Sequence, residues 1–190
     1  MILGERLKQI NSNIPDIWSV KTALYIGAYP KRFAFAEQLK SHSIATDVLE
    51  IDPKRCKALK RFKWIRKIIN GDVTRVSEMG LGTYDLVLWS HGPSAITDKD
   101  LIYKTLSMLY DITGRVLVIL CPWGRRAYTE DRLALRGSSD PMRFDLMLTA
   151  LYEPDFLQLS FSVSTLGEKD GANSNLLAWK YAEEQDEMAQ

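Results

Sequence analysis

Short runs of β-branched and large aliphatic residues recur along the first two-thirds of the chain, and longer stretches with helical character separate them. The first run is Ala23-Leu-Tyr-Ile-Gly-Ala, which ends in a glycine, and the second is Thr46-Asp-Val-Leu-Glu-Ile-Asp, which ends in acid. A third, short run, Ile68-Ile-Asn-Gly-Asp, also ends in acid. The fourth and fifth, Tyr84-Asp-Leu-Val-Leu-Trp-Ser and Gly114-Arg-Val-Leu-Val-Ile-Leu, are nearly continuous in apolar character, as strands covered on both faces must be. Helices are predicted over 31–41, 53–65 and 98–110, with Pro53 in a first helical turn, where a missing N–H costs nothing. Strand-helix alternation of this kind implies parallel strands joined by right-handed crossovers, hence an α/β fold with helices on both faces of one sheet.

After the fifth strand the rhythm changes. Residues 124–141 are polar and charged and read as a loop or lid, and 142–152 read as a helix. Residues 156–164 alternate apolar and polar, and Asn175-Leu-Leu-Ala-Trp-Lys-Tyr follows a turn rich in Gly, Asp and Asn at 167–174, so the two form an antiparallel hairpin. Residues 2–18, within an N-terminal extension over 1–20, predict one or two short helices covering the sheet. The acids of 183–187 make 183–190 a solvated tail.

Composition narrows the function classes. A length of 190 residues corresponds to one domain, and 46% hydrophobic with 26% charged residues supports a real core. The net charge of +1 provides no global field toward nucleic acid or an anionic membrane. It is nonetheless an average, because without the four acids of the tail the balance is 25 − 20 = +5. Cys56 and Cys121 form no CxxC, and two histidines cannot supply an all-protein metal cage, so no metal site is expected. No stretch approaches the ~18 apolar residues of a membrane span and no signal peptide opens the chain, which predicts a cytoplasmic protein without membrane association.

In an open α/β sheet, ligands bind beyond the carboxyl ends of the strands, where the strand order reverses. The strand ends here are Gly27-Ala-Tyr-Pro, Glu50-Ile-Asp, Asp72 and Trp89-Ser-His-Gly-Pro. Gly27 lets backbone approach a ligand closely, and an acid at the next strand end can accept hydrogen bonds from both hydroxyls of a ribose. Asp72 can then read an exocyclic amine. His91, after Ser90, can serve as a general base because imidazole titrates near neutrality.

The order and spacing of Leu24-Tyr-Ile-Gly-Ala-Tyr-Pro, Val48-Leu-Glu-Ile-Asp-Pro, Ile69-Asn-Gly-Asp and Tyr84-Asp-Leu-Val-Leu resembles the class I S-adenosylmethionine-dependent methyltransferases over residues 23–121. The resemblance implies a Rossmann-like three-layer sandwich, with a mostly parallel seven-stranded sheet ending in an antiparallel hairpin. It further implies S-adenosylmethionine as cofactor and an unidentified methyl acceptor. By the same resemblance Gly27 lies at the cofactor's methionine end, Glu50 or Asp52 grips the ribose with Glu50 preferred, Asp72 faces the adenine, and Ser90 belongs to the cofactor site. The sequence departs from the family at Tyr25, where an acid is usual, and at Tyr29 and Lys31, where further glycines are usual. Those departures motivate an alternative: a catalytically inactive Rossmann-like module acting through its surface, as an interaction protein or nucleic-acid adaptor. A nicotinamide enzyme fits less well, because Gly-Ala-Tyr-Pro lacks the glycine-rich turn that seats a pyrophosphate.

Residues 54–67 hold eight cations and no acid, with Phe62 and Trp64 interleaved. Such a run can track a nucleic-acid backbone with aromatics for stacking, or it can be a solvated face whose aromatics belong to the core. Arg125 and Arg126, beside Trp123, can meet an anionic substrate or simply solvate the surface. Cys121 reads as a small core residue. Cys56 sits among cations that would activate an exposed thiol, but no base accompanies it.

Overall fold

The computed structural model describes residues 2–30, 33, 35–90, 96, 98–124, 158–165 and 172–182. Seven strands, β1 (Thr22–Ile26), β2 (Ala45–Glu50), β3 (Ile65–Asn70), β4 (Tyr84–Ser90), β5 (Thr113–Gly124), β6 (Gln158–Thr165) and β7 (Ala172–Tyr181), form one sheet in the order β3-β2-β1-β4-β5-β7-β6. Five are parallel, and β7 lies antiparallel between β5 and β6. The described helices are α1 (Ile2–Asn13), α2 (Ala36–Ser41), α3 (Pro53–Leu59) and α4 (Lys99–Asp111).

The chain runs outward from β1 through β2 to β3, then returns to the other side of β1 for β4 and β5. Right-handed crossovers in opposite directions place their helices on opposite faces. Side chains alternate accordingly. Ala23, Tyr25, Leu86 and Leu88 face α1–α3 with Ile10, Leu39 and Leu59, while Leu24, Ile26, Val87 and Trp89 face α4 with Ile102, Leu106 and Leu109. Burial on both faces explains why these strands read as nearly unbroken apolar runs.

Two boundaries differ from the periodicity. Residues 53–65 were expected to be one helix, but α3 stops at Leu59 and a turn leads into β3 at Ile65, three residues earlier than the third apolar run suggested. The turn is closed by the Phe62 N–H to the Leu59 carbonyl (2.9 Å) and the Ile65 N–H to the Phe62 carbonyl (3.1 Å). Phe62 and Trp64 pack on Phe33, with ring centroids 5.7 and 5.4 Å away, and Phe33 in turn meets Tyr25 edge-on at 4.6 Å. Lys and Arg are good helix formers, but a tertiary aromatic cluster outweighs that propensity here. α2 begins only at Ala36, behind Phe35 with φ 61°. A 3-10 segment over Val73–Met79, absent from the sequence pattern, covers the α4 side.

Strand bases are tied by polar side chains. Asp85 accepts from the N–H groups of Lys21 (2.8 Å) and Thr22 (2.9 Å), locking β4 to the start of β1. Buried Asp47 on β2 accepts two bonds from the Arg66 guanidinium of β3 (2.8 and 2.9 Å) and one from the Tyr84 hydroxyl of β4 (2.7 Å). The expected helix at 142–152, the loop after Gly124 with Arg125 and Arg126, Lys31, His91 and the acidic tail lie outside the described residues.

Candidate cofactor site

Gly27 follows β1 directly, at the point where the strand order reverses. Its φ of +78° is left-handed, and a Cβ there would stand 2.6 Å from the Ser90 carbonyl oxygen at the end of β4. Its N–H donates to the Leu49 carbonyl of β2 at 3.0 Å. A glycine is therefore required on two counts, conformation and space. The turn it makes sits between the carboxyl ends of three strands.

Glu50 ends β2 beside this turn. Its main chain is pinned: the carbonyl accepts from the Gly71 N–H (3.1 Å), the Asn70 side-chain amide (2.9 Å) and the Cys56 thiol (3.3 Å). The side chain is only 1% exposed. Oε1 accepts from the Asp52 N–H at 2.9 Å and lies 3.6 Å from the Arg55 guanidinium. Oε2 is buried and has no hydrogen-bond partner among the described residues. Native proteins rarely leave a buried charged acceptor unmatched, so this oxygen marks a place for a donor that the described residues do not supply.

Asp52 and Asp72 have a different local task. Each stands two residues beyond a strand and caps the segment that follows: Asp52 accepts from the Lys54 N–H (2.8 Å) at the start of α3, and Asp72 from the Thr74 N–H (3.0 Å) at the start of the 3-10 segment. Asp52 also pairs with Arg55 at 3.5 Å. The two acids weighed for the ribose are engaged differently: Asp52 by a helix start and Arg55, Glu50 by the Asp52 N–H and the same arginine, with its Oε2 unpartnered among the described residues. Ser90 is buried, and its backbone forms the wall facing Gly27.

The bulky residues near the glycine do different things. Tyr25 points into the core against Phe33, away from solvent. Tyr29 is 39% exposed, and the Arg55 guanidinium lies 5.1 Å from its ring centroid. Arg55 thereby links Tyr29, Glu50 and Asp52 at the ends of β1 and β2. Sequence reasoning counted Arg55 only within the basic run, although its spacing three after Asp52 is a signal for ion pairing. Cys56 is buried; burial first, and then the nearby Glu50 carboxylate, push its thiol up, so it is not an activated nucleophile.

No protein-family model matches the sequence, and no curated protein matches it. Solved structures do match in fold. The N-methyltransferase NodS from Bradyrhizobium japonicum WM9, in complex with S-adenosyl-L-homocysteine, is 15% identical with a TM-score of 0.61, covering 96% of this chain and 86% of that one. A SAM-dependent methyltransferase from Archaeoglobus fulgidus is 14% identical with a TM-score of 0.62, covering 94% of each chain. The chain has the class I methyltransferase fold. Magnesium protoporphyrin IX methyltransferase from Synechocystis PCC 6803, solved with bound SAM, shares it at 10% identity and a TM-score of 0.55, covering 94% of this chain and 78% of that one. Among the described residues no helix is long and apolar enough to cross a membrane.

Proposed function

We propose that this protein binds S-adenosylmethionine in the cleft between Gly27 and Glu50 and transfers its methyl group to an acceptor. The observation that carries the reading is the buried Glu50 oxygen without a donor among the described residues, beside a turn that only glycine can make, at the reversal point of a methyltransferase-type sheet. A vicinal pair of ribose hydroxyls supplies the missing donors, and a charged acceptor makes such bonds strong. Arg55 and the Asp52 N–H hold Oε1, which leaves Oε2 oriented for the ligand. Gly27 lets the turn after β1 lie against the Ser90 carbonyl of β4, which keeps these strand ends together beside Glu50. Asp72, with one oxygen on its cap, is the candidate for the adenine amine.

When bound, S-adenosylmethionine supplies a methyl group on a sulfonium, which is electrophilic without a metal. The protein's share is alignment of an incoming nucleophile and removal of its proton. His91, next after Ser90 in the sequence, is assigned the proton. With the cofactor held there, His91 would take the acceptor's proton as the nucleophile is aligned with the methyl group.

The other reading, an inactive module, is favoured by the Tyr29–Arg55 link across Glu50. Isothermal titration with S-adenosylhomocysteine separates the two. Saturable heat that falls sharply in Glu50→Ala supports the enzyme. No heat at millimolar ligand supports the module.

A further inference from the structure

The basic run contains two kinds of cation with different fates. Its three arginines are engaged within the fold: Arg55 on Glu50 and Asp52, Arg61 on the Pro30 carbonyl and the Phe62 ring, and Arg66 on buried Asp47. Lys54, Lys57, Lys60 and Lys63 are exposed and make no ion pair among the described residues. Lys67 follows on β3, exposed and close enough to lower the Asp47 carboxyl. No acid occurs between Pro53 and Gly71. Lysines on a sheet edge commonly deter edge pairing, which accounts for Lys67 on β3 but not for the four that precede the strand.

We propose that α3 and the turn into β3 form a docking face for the phosphodiester backbone of a nucleic acid. Uncompensated lysines without an interleaved acid complement a row of phosphates. The alternative of an anionic membrane calls for apolar side chains beside the cations. The exposed large hydrophobics of the described residues are Tyr29, Ile51, Tyr103 and Tyr181, none of them in 53–67. Phe62 and Trp64 are turned onto Phe33, so they offer no platform for unstacked bases. Recognition is therefore of the backbone and independent of sequence. α3 starts at Pro53, directly after its cap Asp52 beside the candidate site, and is about 10 Å long. A strand held along the lysines passes beside the candidate site. This surface does not depend on the cofactor reading, because Lys54, Lys57, Lys60 and Lys63 make no side-chain ion pair with Glu50 or Asp52 among the described residues.

The test is fluorescence anisotropy of the full chain, without cofactor, against labelled RNA and DNA duplexes of one sequence. Four phosphate contacts give a log–log salt slope near −3.6, hence on the order of 100-fold weaker binding at about 200 than at about 50 mM salt. The variant K54Q/K57Q/K60Q/K63Q, with an unchanged melting temperature, should bind at least about 100-fold more weakly at low salt. If four changes disturb folding, K57Q/K60Q with half the slope serves instead. Equal affinity for the two duplexes or a preference for one both support the face, and the comparison names the source. Absence of binding at low salt, binding unchanged in the variants, or binding only to phosphatidylserine vesicles overturns it. Failure here with S-adenosylhomocysteine heat intact would sink the docking face alone.

Discussion

Replacing Glu50 by Gln removes one charge from a side chain that is 1% exposed while changing few atoms. In the native protein Oε1 is satisfied by the Asp52 N–H, and its partner Arg55 is 44% exposed and 3.6 Å distant, so that ion pair contributes less than about 1 kcal/mol. Oε2 is buried without a donor among the described residues, a situation that costs roughly 1–3 kcal/mol. Gln keeps an oxygen for the Asp52 N–H and puts a neutral amide in the orphan position, which is cheaper to bury than a charge. The ligand-free variant should therefore be as stable as the native protein or more so, by up to about 1 kcal/mol, a rise in Tm of at most roughly 2–4 °C for a chain of this size. Binding moves the other way. Losing a charged acceptor for the ribose costs about 2 kcal/mol, or roughly 30-fold in Kd for S-adenosylhomocysteine. At a ligand concentration of about 100 native Kd, stabilisation by ligand falls from about 2.7 to about 0.9 kcal/mol. Thermal melts with and without ligand measure both signs in one experiment. A variant that melts several degrees lower without ligand, or that keeps the full ligand-induced shift, would refute the assignment of Oε2 as a ligand acceptor.

Gly27→Ala should cost at least about 2 kcal/mol, because left-handed backbone strains any Cβ by about 1–2 kcal/mol and the Ser90 carbonyl stands 2.6 Å from it; an unchanged urea midpoint would contradict this. Tyr84→Phe should lose about 1.5–3 kcal/mol near neutrality by deleting a bond to a carboxylate. Burial, and then donation to Asp47, push the Tyr84 phenol from 10.0 up to about 12. Its contribution is thus complete below pH 10 and is lost as pH rises toward 12, and the Phe variant should lack that alkaline loss in chemical denaturation. Burial alone would raise the Asp47 carboxyl, but the bonds from Arg66 and Tyr84 prevail and hold it below 3.8. Asp47 therefore stabilises above that pH and ceases to as acid titrates the folded state. Arg66→Gln should be about 1–2 kcal/mol less stable at pH 7 and lose less on acidification; equal acid sensitivity in both proteins would argue against the pair.

Much of the sheet was legible because its signals are local. Runs such as Leu86-Val-Leu-Trp must be covered on both faces, and two covered faces imply helices on each side. The hairpin over β6 and β7 was visible from alternation and a polar turn. Placing β7 beside β5 was not, since Val118 meets Trp179 only through pairing across the chain. The end of α3 was misread for a similar reason: Lys60 to Trp64 favour helix locally, and Phe33, remote in sequence, holds Phe62 and Trp64 in a turn.

The sequence by itself placed Gly27, Glu50, Asp52 and Asp72 at strand ends, because strand boundaries follow from periodicity and turn chemistry. It left Glu50 and Asp52 as rival acids and treated eight cations as one patch. Only the tertiary structure shows how each of these side chains is engaged. Whether a carboxylate oxygen is open or engaged depends on which donors folding brings within about 3 Å, and neither Arg55 over Glu50 nor Arg66 under Asp47 is a property of neighbouring residues. Burial acts likewise, since it sets Oε2 of Glu50 in need of a donor and leaves the lysines to solvent.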